Sequence, residues 1–162
     1  MPKNKIHTTS LVTDCPCTSG KLFKECCSPV LSDHSLAATP EMLMRSRYTA
    51  FAIEDSAFLL RSWDISTRPR SINFEKNIVW LQLIIEAAPQ PEPNDDSGFV
   101  VFKASFIQND TVFEMKEKSF FIRKKCLWFY LNGELITQKK AISLKERCPC
   151  GSGKKYKRCC RP

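Results

Sequence analysis

The hydrophobic pattern divides the chain into two regimes. Within "TPEMLMRSRYTAFAIEDSAFLLRSW" (39–63), apolar residues recur three and four positions apart at Leu43, Met44, Tyr48, Phe51 and Ala52. That spacing puts them on one helical face and predicts a helix running to about Ile53. Thr39 suits the N-cap, Pro40 the first helical position and Glu41 the positive end of the helix dipole. Asp55 restarts a second helix with Phe58, Leu59 and Trp63 facing inward, and "STRPRS" (66–71) breaks it. Beyond that point the period shortens to two. The alternation predicts strands over 78–87, 99–107, 111–122 and 126–133. "PQPEPNDDSG" (89–98) is a loop, because its three prolines exclude a central strand and its acids keep it wet. Short polar connections at "QND" and "RKK" make the last three strands an antiparallel meander, and Cys126 reads as a small core residue opening the final one. Residues 1–14 read as flexible and 28–38 as a short linker. Helices followed by a meander give an α+β fold, with helices packed on one face of a curved antiparallel sheet.

Two segments fall outside this pattern and resemble each other. "CPCTSGKLFKECC" (15–27) and "CPCGSGKKYKRCC" (148–160) are identical at nine of thirteen positions, with all four cysteines in register. Each is C-x-C-x8-C-C. A tight turn carries the first two thiolates, the adjacent pair supplies two more, and the glycines let the chain fold back between them. Four sulfurs suit tetrahedral Zn²⁺, with arms of ~2.3 Å. Lysines beside the thiols favour the thiolate form. Phe23 and Tyr156 would form the apolar lid of a module too small for its own core. In the first copy His34 or His7 are alternatives to Cys27 as fourth ligand, and symmetry between the copies favours Cys27.

Length and composition bound the rest. The 162 residues suit one domain with small appendages, and a 43% hydrophobic share with eleven Phe allows a real core. No apolar run approaches the ~18 residues of a membrane span. The N-terminus has positive charge but no apolar stretch of a secretory signal, so the expected location is the cytoplasm. Thiols stay reduced there, which turns nine cysteines towards metal and away from disulfides. The formal charge of +8 is unevenly placed. Residues 139–162 hold nine Lys/Arg and one acid, while residues 1–138 hold sixteen of each. Two filled zinc–tetrathiolate sites would lower the chain to +4 and the tail to +6. A basic tail on a neutral body, with Lys154, Lys155, Lys157 and Arg158 inside the second cassette, points to an anionic partner such as nucleic acid, ribosome, acidic protein or anionic lipid.

The cassettes resemble the SEC-C motif, the zinc-binding tail of the preprotein translocase ATPase SecA. That resemblance implies two zinc ions, held by Cys15, Cys17, Cys26 and Cys27 and by Cys148, Cys150, Cys159 and Cys160. It also implies docking, which in that family is to the export chaperone SecB and to ribosomes. The first copy departs from the second at Thr18, Leu22 and Glu25, and lacks its dense positive charge. "MRSRYTAF" (44–51), "STRP" (66–69) and "W-F-Y-x-N-G" (128–133) extend the resemblance, over nearly the whole chain, to the YchJ family. Its middle domain has the nuclear-transport-factor-2-like (NTF2-like) fold, a cone of helices and curved sheet. The implied division is an N-terminal zinc module at 1–34, a middle domain at 35–138 and a C-terminal zinc module at 139–162. In this family a His is common where Lys116 stands here. The fold also implies a capacity to dimerise through its sheet.

A cone holds a pocket, and the candidates to line it are Arg45, Arg47, Tyr48, Trp63, Asp64, Arg68, Glu117 and Trp128. Two arginines in one apolar helix have two readings. In one, an arginine faces solvent and the other pairs with Glu117 or Asp64. In the other, they hold a small anionic ligand with Ser or Thr. The only histidines, His7 and His34, precede the middle domain, so the commonest general base is absent from the pocket. There is no G-x-S-x-G, Walker loop or G-x-G-x-x-G. Nothing compels an enzyme. The leading reading is therefore a zinc-binding interaction protein, and the alternative is a small-molecule binder or enzyme with structural zinc modules.

Overall fold

Helix α2, Pro40–Ala52, follows its sequence signals closely. The Thr39 hydroxyl accepts from the Met42 amide at 3.2 Å, supplying one of the hydrogen bonds that a helix start lacks. Glu54, with φ of 60°, ends the turn that follows, and the Asp55 carboxylate caps α3 (Ser56–Arg61) by accepting from the Phe58 amide. Residues 13–109, 111–137, 143–148 and 150–160 are described in this computed structural model. His7 and the tail cations Lys139, Lys140 and Arg161 lie outside them.

The segment expected to be a linker is instead partly helical. Helix α1, Cys27–Ser32, starts on the last cysteine of the first cassette, and a 3-10 turn covers His34–Leu36. The cause is tertiary: Val30 is buried in the central core, so a short sequence without strong helix formers gains its helix from packing.

Four strands follow in chain order: β1 (Ile78–Ala87), β2 (Ser97–Gln108), β3 (Thr111–Lys124) and β4 (Leu127–Thr137). They pair as an antiparallel meander, β1-β2-β3-β4. Register breaks at Trp80/Gln82 and Ile85/Ala87 in β1, and at Lys116/Glu117 and Phe120/Phe121 between β3 and β4. Each inserts an extra residue and bends the sheet, which is how four strands curl around the helices. The expected turn at 123–125 moves towards the C-terminus. Arg123 and Lys124 remain paired in β3, and Lys125 and Cys126 make the turn with φ of 50° and 65°. Cys126 is consequently exposed, which corrects its assignment to the core.

The central core lies between the helices and the concave face. Leu43, Tyr48 and Ala50 of α2 and Phe58 and Leu59 of α3 meet Val100 and Phe102 of β2, Phe121 of β3 and Trp128 of β4. The exposed edge of β4 is partly covered by the chain after α3. The Asp64 amide donates to Tyr130 O at 2.7 Å, and the Tyr130 amide donates to Ser62 O at 2.9 Å. No helix among the described residues is long and apolar enough to cross a membrane.

Candidate functional site

The two cassettes share their backbone hydrogen bonds, turns and bridges at matching described residues, 133 positions apart. Cys15 donates its amide to Lys21 O at 2.8 Å, as Cys148 does to Lys154 O at 2.6 Å. The same correspondence holds for Phe23 to Thr13 and Tyr156 to Glu146, and for the bridges Asp14–Leu22 and Arg147–Lys155. The fourth position takes a left-handed backbone in both, at Thr18 (φ 55°) and Gly151 (φ 82°). Phe23 and Tyr156 are both buried as lids.

These turns bring four sulfurs together in each copy, with every Sγ within 4.8 Å of the others. Cys17–Cys26 and Cys26–Cys27 are 3.5 and 3.9 Å apart, and Cys150–Cys159 and Cys159–Cys160 are 3.4 and 3.8 Å apart. A regular tetrahedron with ~2.3 Å arms has edges of about 3.8 Å. Both clusters therefore fit one metal ion each. Four crowded thiols cannot all ionise without a cation. Hydrogen bonds from Cys15 and Cys27 hold the Cys17 thiol far below its ordinary pKa, and Cys15 is pushed up to about 11 chiefly by its hydrogen bond to Cys17. Ser19 and Ser152 hydroxyls lie 3.2 and 3.0 Å from Cys26 and Cys159, an outer contact that identity between the repeats could have revealed. His34 stands apart from the sulfurs. Its Nε2 meets Trp128 O at 2.6 Å, its ring lies edge-on to Phe58 and Phe129, and burial holds its pKa below the usual histidine range.

The copies differ in their surroundings. Cys15, Cys17 and Cys27 belong to the central core, where Cys15 faces the Thr49 hydroxyl of α2. Arg45 of the same helix donates to Glu41 at 2.9 Å. Burial opposes its charge, but Glu41 and the nearby Cys17 thiolate outweigh that and raise its pKa. Cys148 and Tyr156 instead pack on a small separate cluster with Ile107 and Val112, backed by Leu81. Both copies use the free edge of β1. Thr18 Oγ1 donates to Leu83 O at 2.9 Å and accepts from the Leu83 amide at 3.0 Å, while Gly151 lies against the adjacent Gln82.

The pocket candidates divide. Arg47, Tyr48, Trp63 and Glu117 line one cavity of about 170 Å³ on the concave face. Asp64 is bound to Lys124 and Ser66, and Arg68 is exposed and reaches Leu60 O. Trp128 is buried with its indole N–H on Ala38 O, and Arg45 faces Glu41. Trp80, Phe102, Met115, Ser119 and Tyr130 complete much of the cavity wall. Period-two alternation was the signal for Met115, Glu117 and Ser119, which share one face of β3.

Arg47 is 2% exposed and makes no ion pair among the described residues. This corrects the reading that pairs it with Glu117 or Asp64, since Asp64 takes Lys124 instead. The guanidinium donates from Nη1 to Leu59 O at 2.9 Å and to Ser62 Oγ at 2.7 Å. It lies 4.9 Å from the Trp63 ring centre and 4.3 Å from that of Tyr130. Burial pulls its pKa down to about 10 against the opposing fields of Tyr130 and Glu117, which leaves it charged at neutral pH.

Comparison with known proteins agrees with this architecture. The family model described as "YchJ, middle NTF2-like domain" matches residues 39–133, and that of the SEC-C motif matches 145–162. A UPF0225 protein of Sodalis glossinidius is 38% identical over 154 residues, covering 90% of this chain and 96% of its own. The UPF0225 protein YchJ of Shigella dysenteriae is 36% identical over 152 residues, with the same coverage. Among solved structures, a SEC-C motif containing protein from Rhodopseudomonas palustris superposes with a TM-score of 0.68 at 28% identity, over 77% of this chain and all of that one. Another from Psychrobacter arcticus gives 0.63 at 26% identity, over 93% of this chain and 96% of that one. With an NTF2-like body, a SEC-C motif and relatives matching over nine-tenths of its length, the chain belongs to the UPF0225 (YchJ) family.

Proposed function

We propose that the protein is a cytoplasmic, two-zinc interaction protein whose C-terminal module, residues 139–162, docks a polyanionic macromolecular surface, with ribosomal or other RNA the first to test and an acidic protein the second. The module at 1–34 and the middle domain at 35–138 form its platform. One contrast carries the reading. Lys154, Lys155, Lys157 and Arg158 are all exposed, and none forms an ion pair among the described residues. In the first cassette the matching charges are thinned to Lys21 and Lys24, and Lys24 lies 3.8 Å from Glu25. The same scaffold thus carries one paired and one unpaired cation in the first copy and four unpaired cations in the second. A zinc–tetrathiolate centre fixes the turn from which these side chains project, so their spacing is set before a partner arrives.

The test is the salt dependence of binding by the metal-loaded chain to a single-stranded RNA, with polyglutamate as the protein-like polyanion. Each neutralised RNA phosphate contributes about −0.7 to the log–log slope. Replacing Lys154, Lys155, Lys157 and Arg158 by Gln should flatten that slope by up to about 3 while elemental analysis still finds two zinc ions. An unchanged slope and unchanged affinity in the zinc-loaded variant would reject docking through this module.

A further inference from the structure

The cavity under α2 has chemistry that the docking reading leaves unused. The geometry points to a binding site for a small monocarboxylate with a ring-sized apolar body, its carboxylate on Arg47 and its body among Met44, Phe51, Trp80 and Met115. Three observations support this. Arg47 is buried, has no carboxylate partner among the described residues and lines the cavity. A buried cation with no carboxylate in ion-pair contact, its charge favoured only by the more distant field of Glu117 and Tyr130, is a costly arrangement that an anionic ligand would relieve. Tyr48 lines the same cavity beside Arg47 on α2, and its ring packs edge-on to Trp80 of the wall, while its buried hydroxyl, which feels the field of Cys17, has no hydrogen-bond partner among the described residues. The remaining wall is mostly apolar and aromatic, and the volume of about 170 Å³ is close to the ~150 Å³ of an engineered cavity that takes up benzene.

Charge decides between anions. Arg47 supplies one positive charge, and Glu117 places a carboxylate on the same wall, where it accepts from the Ser119 hydroxyl at 2.8 Å. A singly charged head can be matched there. A phosphate dianion would leave excess negative charge facing Glu117. The Trp63 and Tyr130 rings hold the guanidinium by their faces, which fixes its plane before binding.

Benzoate is the probe, with benzamide as its uncharged match in shape and inorganic phosphate as the dianion. Binding to the full metal-loaded chain is followed by ligand-observed NMR and by Trp emission, since Trp80 lines the site. Benzoate should bind at least tenfold more tightly than benzamide, and phosphate should not compete. Arg47→Gln should remove the preference for benzoate. Because that change is in the core, Glu117→Gln provides an independent reading: it removes the like charge, keeps an acceptor for Ser119 and should tighten benzoate at least threefold. Equal affinity for benzoate and benzamide, no binding of either to the folded chain, or weaker benzoate binding in Glu117→Gln would each overturn the assignment. None of these outcomes bears on RNA binding by the C-terminal module, so the two proposals fail separately.

Discussion

Thr18 shows how one side chain can offset a strained backbone. A β-branched residue at φ of 55° is unfavourable by about 1 kcal/mol or more, and the matching position in the second cassette is glycine. Thr18 is held there by its two hydrogen bonds to the free edge of β1 at Leu83. Thr18→Ala keeps the strain and loses both bonds, so it should lower stability by about 2 kcal/mol. Thr18→Gly loses the bonds but relieves the strain and should cost about 1 kcal/mol less than the Ala change. Urea unfolding of the zinc-loaded variants measures both. Asp64 provides a pH-dependent case. Its hydrogen bonds from Lys124 and Ser66 pull its pKa down to about 2, so the carboxylate stabilises the fold above its ordinary titration near 4 and loses that contribution as pH falls towards 2. The urea midpoint of the native chain should exceed that of Asp64→Asn by a constant margin above about pH 4, and the margin should shrink below it. A margin independent of pH would remove the ion pair from the account. The repeat made the two four-cysteine clusters legible because their spacing is local. Which arginine of "MRSRY" is buried was not legible. It depends on Trp63 and Tyr130, which reach Arg47 only because the chain after α3 pairs with β4.

At the scale of elements, β1 is the common support. Its Leu83 holds the first cassette, and its Leu81, the extra residue at a bulge, backs the second. The two cassettes nevertheless differ in what depends on them. The first contributes Cys15, Cys17, Phe23 and Cys27 to the central core, and α1 grows directly from it. The second rests on a small cluster at one end of the sheet. Cys17→Ser should therefore lower the stability of the whole body by more than about 3 kcal/mol, given that a structural zinc site contributes on the order of 10 kcal/mol of binding free energy. Cys159→Ser should leave the body nearly unchanged. Both should retain one zinc per chain, and Trp emission separates them because all three Trp lie in the body. Equal losses in both variants would refute the asymmetry. The strands and α2 were legible because each has a clear period. The helix after Cys27 and the exposure of Cys126 were not, since both follow from where the chain packs and turns and neither has a period to read.

For the whole molecule, the question is why the same cassette is written twice on a body with its own core. The sheet has two edges. Part of β4 is covered by residues 62–64, and β1 has no further strand beside it among the described residues. An uncovered edge is a template for pairing with another chain. The first cassette closes β1 at Leu83 with hydrogen bonds, and the second places Gly151 beside Gln82 and covers Leu81, Ile107 and Val112. Two cassettes far apart in sequence thus meet along one strand, and covering that edge would give the second copy a role separate from any partner it docks. A chain ending at Thr137 tests this. It keeps the first cassette, the helices and all four strands, so its far-ultraviolet dichroism should change little and it should hold one zinc. It should also bind a hydrophobic dye more strongly and associate with itself as concentration rises in sedimentation equilibrium. Charged replacements at Leu81 and Val112 in the shortened chain should reverse both effects, because they restore polarity to the uncovered cluster. A shortened chain that stays monomeric with no added dye binding would mean that the C-terminal cassette does not protect the edge.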